Sequence, residues 1–153
     1  MRFAAALLAL CLTSGAVPAL ADGLAEDLAV FQKVCVQQAP DLSQEAISAA
    51  AKKASIGVYD PGGGGTVEAI EGRYCAIKMR RGSMLVSPVP EAEAERLVGR
   101  FAEKIGATDI AKKVRKNGNS LSYTVKRGKG EVTFLFVADR SVRKLSISKR
   151  GKL

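Results

Sequence analysis

The sequence predicts an α+β fold in which helices cover one face of an antiparallel sheet. Apolar residues recur at helical spacing near the N-terminus and again around position 98, whereas alternating apolar and polar residues fill the chain from position 110 onward. Helix and strand signals fall in separate runs, which favours α+β over alternating α/β. The expected order is two N-terminal helices, a short strand pair, one central helix and a C-terminal antiparallel β-meander of three to four strands.

The two N-terminal helices are predicted from apolar spacing and end signals. The first, over residues 24–37, has a stripe with spacings of four, three and four: Leu24, Leu28, Phe31 and Cys35. Pro40 ends it, because proline lacks the amide hydrogen that a helix needs. The second helix is expected to begin at Asp41, which forms a capping-box pattern with Gln44, and to run to about Ala54.

A loop and a strand pair come next. The run Asp60–Gly65 holds one proline and four glycines, a composition typical of an irregular connection. Alternation over Arg73–Met79 predicts a strand. Its partner is predicted at Met84–Val86, across a turn at Arg81 and Gly82.

The central helix is predicted over Glu91–Ile105. Pro90 suits its start, and the acidic residues of its first turn interact favourably with the helix dipole. Gly106 is a suitable C-terminal stop. Its apolar stripe has four members: Leu97, Val98, Phe101 and Ile105.

The meander is predicted from alternation of period two. Three strands show it: 121–126, 131–137 and 144–148. An earlier strand, Ile110–Lys116, would join them through Asn117 and Gly118, a pair typical of tight hairpins. The strand at 131–137 carries apolar residues at both odd and even positions. This pattern predicts that the strand is central in the sheet and buried on both faces.

The N-terminal segment 1–21 has the anatomy of a secretory signal peptide. Arg2 gives a positive start, Phe3–Leu12 is apolar, and a small-residue cleavage site ends at Ala21. The apolar run is shorter than the ~20 residues that span a bilayer, and no later segment is long enough either. We therefore expect cleavage after Ala21, one α+β domain over residues 22–153, and a periplasmic or secreted location.

Two cysteines remain in the predicted mature chain, Cys35 and Cys75. An even number of cysteines in an exported protein favours a disulfide. Closing a loop of this length stabilises the fold by roughly 3–4 kcal/mol in the chain-entropy view. The alternative is a pair of unconnected buried thiols.

The chain is basic, and its charge is uneven. It carries 24 basic and 15 acidic residues, a net charge of +9. Residues 22–72 hold three basic and eight acidic residues, a net charge of −5, whereas residues 73–153 hold twenty and seven, a net charge of +13. This asymmetry favours contact with an anionic partner, and a merely soluble basic surface is the alternative.

Eleven cations on the predicted meander form the candidate anion-binding set. They are Lys112, Lys113, Arg115, Lys116, Lys126, Arg127, Lys129, Arg143, Lys144, Lys149 and Arg150. Cations at sheet edges also prevent strand-to-strand aggregation, which is the alternative explanation for their positions.

The residue types disfavour catalysis and metal binding. The chain has no histidine, which removes the commonest general base and the commonest metal ligand. We therefore expect no cofactor, no metal site and no enzymatic activity. Ser141 and Lys144 match the S-x-x-K pattern of serine acyl-transferases, but they fall in a predicted turn and strand and the companion motifs are absent. A small hydrolase is the least favoured alternative.

The leading hypothesis is a non-enzymatic exported protein whose basic C-terminal face binds an anionic envelope component, such as lipid head groups or an envelope polymer, or an acidic protein. The alternative is a protein-interaction or inhibitor module that works through shape and an apolar patch, insensitive to salt. Nucleic acid is disfavoured, because Tyr123, Phe134 and Phe136 are predicted to lie in the core rather than on a stacking surface. The sequence makes no prediction of oligomeric state.

Overall fold

The computed structural model describes residues 22–56, 64–114 and 117–153. These residues form three α-helices and six strands, so the predicted α+β class is confirmed. The helices are α1 (Leu24–Val34), α2 (Gln44–Lys53) and α3 (Glu91–Ile105). The strands are β1 (Gly64–Ile70), β2 (Tyr74–Arg80), β3 (Asp109–Val114), β4 (Ser120–Arg127), β5 (Gly130–Asp139) and β6 (Val142–Arg150). The predicted signal peptide lies outside the described residues.

The six described strands form one continuous antiparallel sheet in the order β1-β2-β6-β5-β4-β3. The predicted strand count is therefore wrong, since a separate strand pair and a meander of three to four strands were expected. The two parts merge because β2 pairs with β6, with Ile77 opposite Leu145 and Cys75 opposite Ile147. These apolar pairs continue the core face from the meander into the N-terminal strands.

The predicted partner of β2 is also wrong. Residues 84–86 form no strand, and β1 pairs with β2 instead. Gly64 and Gly65, which were predicted to lie in an irregular loop, open β1. A Cβ on Gly65 would lie 2.5 Å from the Sδ of Met79, so a larger residue there would displace the Met79 side chain. The rest of the predicted loop, residues 60–63, lies outside the described residues.

The helix ends differ from prediction at the first two helices. Helix α1 ends at Val34 and gives way to a 3₁₀ turn at Val36–Gln38. Helix α2 begins after Ser43, whose side chain accepts a hydrogen bond from the amide of Ala46, so the predicted Asp41 cap is wrong. Helix α3 has the predicted bounds, and Gly106 ends it in the left-handed conformation at φ 67°.

The core lies between the three described helices and one face of the sheet. Phe31 of α1 packs edge-on against Phe136, with ring centroids 6.1 Å apart, and Phe101 of α3 packs against Phe134 at 5.2 Å. Along β5, buried residues alternate with half-buried ones. The prediction that β5 is buried on both sides is therefore wrong, because the described helices pack on its phenylalanine face.

Cys35 follows α1 directly and Cys75 lies in β2. Their Cα atoms are 5.5 Å apart and a disulfide joins them, as predicted. Both cysteines are fully buried. The cross-link holds the C-terminal end of α1 to the same end of the sheet at which β2 begins.

Candidate functional site

A cluster of cations lies where β4 ends, β5 begins and β6 ends. We call it the basic sheet end, and its members are Lys126, Arg127, Lys129, Lys149, Arg150 and Lys152. Arg127 lies opposite Gly130, Glu131 lies opposite Arg150, and Val132 lies opposite Lys149. Adjacent strands are about 4.8 Å apart, so the three strand ends span roughly 10 Å.

Two glycines allow the β4–β5 turn and the end of β6 to approach each other closely. A Cβ on Gly130 would lie 2.6 Å from the carbonyl oxygen of Lys152, and a Cβ on Gly151 would lie 2.5 Å from that of Lys129. Gly151 also has φ 75°, a conformation that side chains disfavour. These close approaches place Lys152 beside the β4–β5 turn and so add a cation that the sequence prediction did not include.

The basic sheet end is exposed, and its cations outnumber the carboxylates beside them. Five of its six residues are exposed, and Lys149 is half-buried. None of the six forms an ion pair with another residue of the described ranges. The acidic residues opposite them in register are Glu131 and Asp109. The local field is therefore strongly positive.

Other members of the predicted set are paired with carboxylates or lie far from the basic sheet end. The ammonium group of Lys112 lies 2.9 Å from Glu91 and 3.2 Å from Glu95, and hydrogen bonds to these carboxylates raise the pKa of Lys112 above its ordinary value. Lys144 lies 3.8 Å from Glu68. Lys113 is exposed on β3, at the end of the sheet opposite the basic sheet end.

Arg115 and Lys116 lie outside the described residues.

Arg143 does not belong to a surface site, contrary to prediction. It is fully buried, with its guanidinium group 2.9 Å from Asp22 and in direct contact with Asp27. It also donates to the carbonyl oxygen of Ser87 at 3.0 Å. No external anion can reach it, because these groups enclose it.

Arg143 is part of a buried ionic network that the sequence prediction missed. Asp27, at the first turns of α1, contacts both Arg143 and Arg81. Burial raises the pKa of Asp27, and the two guanidinium groups oppose that shift. Burial also raises the pKa of Asp22, but hydrogen bonds from Ser87 and the charge of Arg143 outweigh it, leaving the pKa below its ordinary value.

The network holds α1 to the sheet, because Asp27 of α1 pairs with Arg143 of β6 and with Arg81 after β2. Within the described residues, Nε of Arg81 is buried without a hydrogen-bond partner. A sequence signal for the network existed. Arg143 has the same parity as Leu145 and Ile147, so the alternation of β6 places all three on the core face.

The remaining chemical motifs are dispersed. Ser141 lies in the β5–β6 turn and Lys144 lies in β6, so the S-x-x-K pattern is not on a helix. Tyr123 and the two predicted core phenylalanines are buried, which confirms their assignment, and burial raises the pKa of Tyr123 to about 12. Within the described ranges, no three His, Cys, Asp or Glu side chains group as metal ligands.

No helix among the described residues has both the length and the hydropathy to cross a membrane. No family model matches the chain, and no curated protein or solved structure matches it.

Proposed function

We propose that this chain is an exported, non-enzymatic protein that binds an anionic, phosphate-bearing component of the cell envelope through the basic sheet end. The observation that carries the proposal is the grouping of six cations, none ion-paired within the described residues, on three adjacent strand ends. The other predicted cations that the structure describes are paired, buried or distant.

The arrangement suits a surface rather than a small anion. The cations lie on a turn and at three strand ends, so they are spread along one end of the sheet. A Lys or Arg close to an anionic lipid surface contributes about 1 kcal/mol to binding, and that contribution falls off within the Debye length. Binding should therefore be reversible and sensitive to salt.

Co-sedimentation with vesicles tests the proposal. The purified protein is mixed with vesicles of equal parts phosphatidylglycerol and phosphatidylcholine, or of phosphatidylcholine alone. We expect binding to the anionic vesicles at low salt and its loss at high salt. Binding that persists unchanged in high salt would contradict the proposal and favour an interaction through shape.

A charge-matched pair of variants locates the site. K126Q/R127Q/K129Q removes three cations from the basic sheet end, and K33Q/K52Q/K53Q removes three exposed cations from α1 and α2. The first variant should bind about 100-fold more weakly, from about 1 kcal/mol per cation, while the second should stay within about threefold. Equal losses of vesicle binding in the two variants would mean that the net charge of the protein drives binding without a defined site.

Polyglutamate and purified lipopolysaccharide serve as further ligands in the same assay. Lipopolysaccharide carries phosphate, whereas polyglutamate stands for an acidic protein. We expect lipopolysaccharide to compete with the vesicles for the basic sheet end. Competition by polyglutamate but not by lipopolysaccharide would contradict envelope binding and indicate that the partner is an acidic protein.

A further inference from the structure

The described helices leave an apolar groove between α1 and α3, with a volume of about 340 Å³. We call it the α1–α3 groove. Its floor is formed by Leu28, Val36, Leu97 and Phe101. On the α1 side the groove is lined by Ala25 and Ala29, which lie one turn apart. Their side chains are short, so the groove is open along its length.

Three cations line the α3 wall at spacings of four residues, and their partners differ. Arg96 pairs with Glu93 one turn earlier. The ammonium group of Lys104 donates to the carbonyl oxygen of Ala39 at 3.1 Å and has no acidic partner within the described residues. Arg100 also forms no ion pair within those residues.

Uncompensated positive charge is therefore confined to one end of the groove, at Arg100 and Lys104. The opposite wall, on α1, contributes the uncharged side chains of Gln32 and Gln37. The apolar floor extends from the charged end towards Ala25. A ligand that matches this distribution has one anionic end and one apolar length.

We propose that the α1–α3 groove binds a single-chain anionic amphiphile of the fatty-acid class. Its head group accepts hydrogen bonds from Arg100 and Lys104, and its chain covers Leu28 and Leu97. The volume lies at the low end of the range for small-ligand sites, about 300–1,000 Å³, and suits one chain better than a docked helix. A docked acidic helix would place charges along the whole groove, where Arg96 is already paired. This site is independent of the basic sheet end.

Calorimetry with dodecanoate below its micelle concentration tests the site. We expect saturable binding of one dodecanoate per chain. Dodecyltrimethylammonium has the same apolar chain and a cationic head, and it should bind at least about tenfold more weakly, because Arg100 and Lys104 repel it. Equal binding of both amphiphiles would overturn the assignment of the head-group site.

Two matched pairs of variants locate the ligand. R100Q removes the head-group cation, and K52Q removes an exposed cation outside the groove. A29F fills the groove from α1, and A49F adds the same ring to an exposed position on α2. R100Q should weaken dodecanoate binding about fivefold to tenfold and A29F by more, while both controls stay within about twofold.

Absence of dodecanoate binding to the wild-type protein would overturn the proposal. So would unchanged binding to A29F and R100Q, since the chain would then lie elsewhere. An acidic amphipathic peptide that binds this groove while dodecanoate does not would establish a helix-docking site in its place.

Discussion

At the scale of single residues, the most consequential group is Arg143. A charged side chain without solvent exposure is rare and requires partners on every side. Asp22, Asp27 and the carbonyl oxygen of Ser87 supply them. The contacts join the start of α1 to the start of β6, so Arg143 stabilises the placement of a helix on the sheet.

Removing the Arg143 charge should be costly, because it leaves Asp27 buried with only Arg81 as its cationic partner. R143Q should lose about 3 kcal/mol of unfolding free energy, the lower end of the range for broken buried ion pairs. Urea denaturation measures it. R140Q, an exposed change three residues earlier, is the control and should cost under about 0.5 kcal/mol. A loss in R143Q as small as that in the control would mean that the network does not stabilise the fold.

Asp22 predicts a defined pH dependence. Because the folded pKa of Asp22 lies below its ordinary value of 3.8, its carboxylate stabilises the fold above about pH 3.8. That stabilisation is lost as pH falls through the folded pKa. D22N should therefore cost about 1–2 kcal/mol at pH 7, and the difference from wild type should shrink below pH 3.8.

The measurement is urea denaturation of both proteins between pH 7 and the acid limit of folding. Asp27, whose pKa burial raises, contributes in the opposite sense. Both proteins keep Asp27, but it shares Arg143 with Asp22, so the difference also contains the coupling between the two carboxylates. A stability difference that stays constant with pH would contradict the role given to Asp22.

At the scale of elements, the disulfide and the ionic network hold the two ends of α1. The network lies at Asp27 in its first turns, and Cys35 follows its last residue. Between them Phe31 fills the core. Helix α1 is thus fixed at both ends, so the α1–α3 groove keeps its shape.

Opening the disulfide should destabilise the fold without abolishing it. The loop between the cysteines has a sequence separation of 40, which corresponds to roughly 3–4 kcal/mol in the chain-entropy model. Reduced wild type and C35A/C75A should both show that loss in urea denaturation, and non-reducing mass spectrometry should show the cross-linked peptides. An unchanged midpoint after reduction would contradict the prediction.

The strands should differ in amide exchange. All six residues of β3 are exposed, and within the described sheet β3 pairs only with β4. Strands β5 and β6 lie inside the sheet and carry much of the core. Amides of β5 and β6 should therefore exchange only through global unfolding, whereas those of β3 exchange through local opening, about tenfold faster or more. Exchange in β3 as slow as in β5 would show that the edge is covered by something else.

At the scale of the whole molecule, the two proposed sites use two separate groups of cations. The basic sheet end lies at the strand ends, and Arg100 and Lys104 lie on α3. Most carboxylates near the other cations are paired with them, as at Lys112 and Arg143.

The two sites should act independently. K126Q/R127Q/K129Q should bind dodecanoate within about twofold of wild type, and R100Q should bind anionic vesicles within about twofold, because distant sites are additive. Calorimetry and sedimentation on both variants measure this. Loss of both activities in either variant would mean one shared site.

Sequence patterns predicted much of the architecture, because amphipathic periodicity reports which side of an element is buried. The bounds of α3 followed from its apolar stripe and end signals. The β3–β4 hairpin followed from Asn117 and Gly118, and the pairing of Cys35 with Cys75 from the even number of cysteines. The partner of β2 did not, because strand pairing depends on residues distant in sequence. Gly64 and Gly65 carry no strand propensity, and the packing of Gly65 against the Met79 side chain appears only in the tertiary structure.

The sequence by itself determined the α+β class, the positive balance of residues 73–153 and the absence of histidine, because these follow from composition and local periodicity. The tertiary structure decided which cations remain available. It buried Arg143, paired Lys112 with α3 and brought Lys152 beside the β4–β5 turn. The physical reason is that local patterns determine how a residue sits within its own element, whereas the net field at a surface depends on which elements meet there.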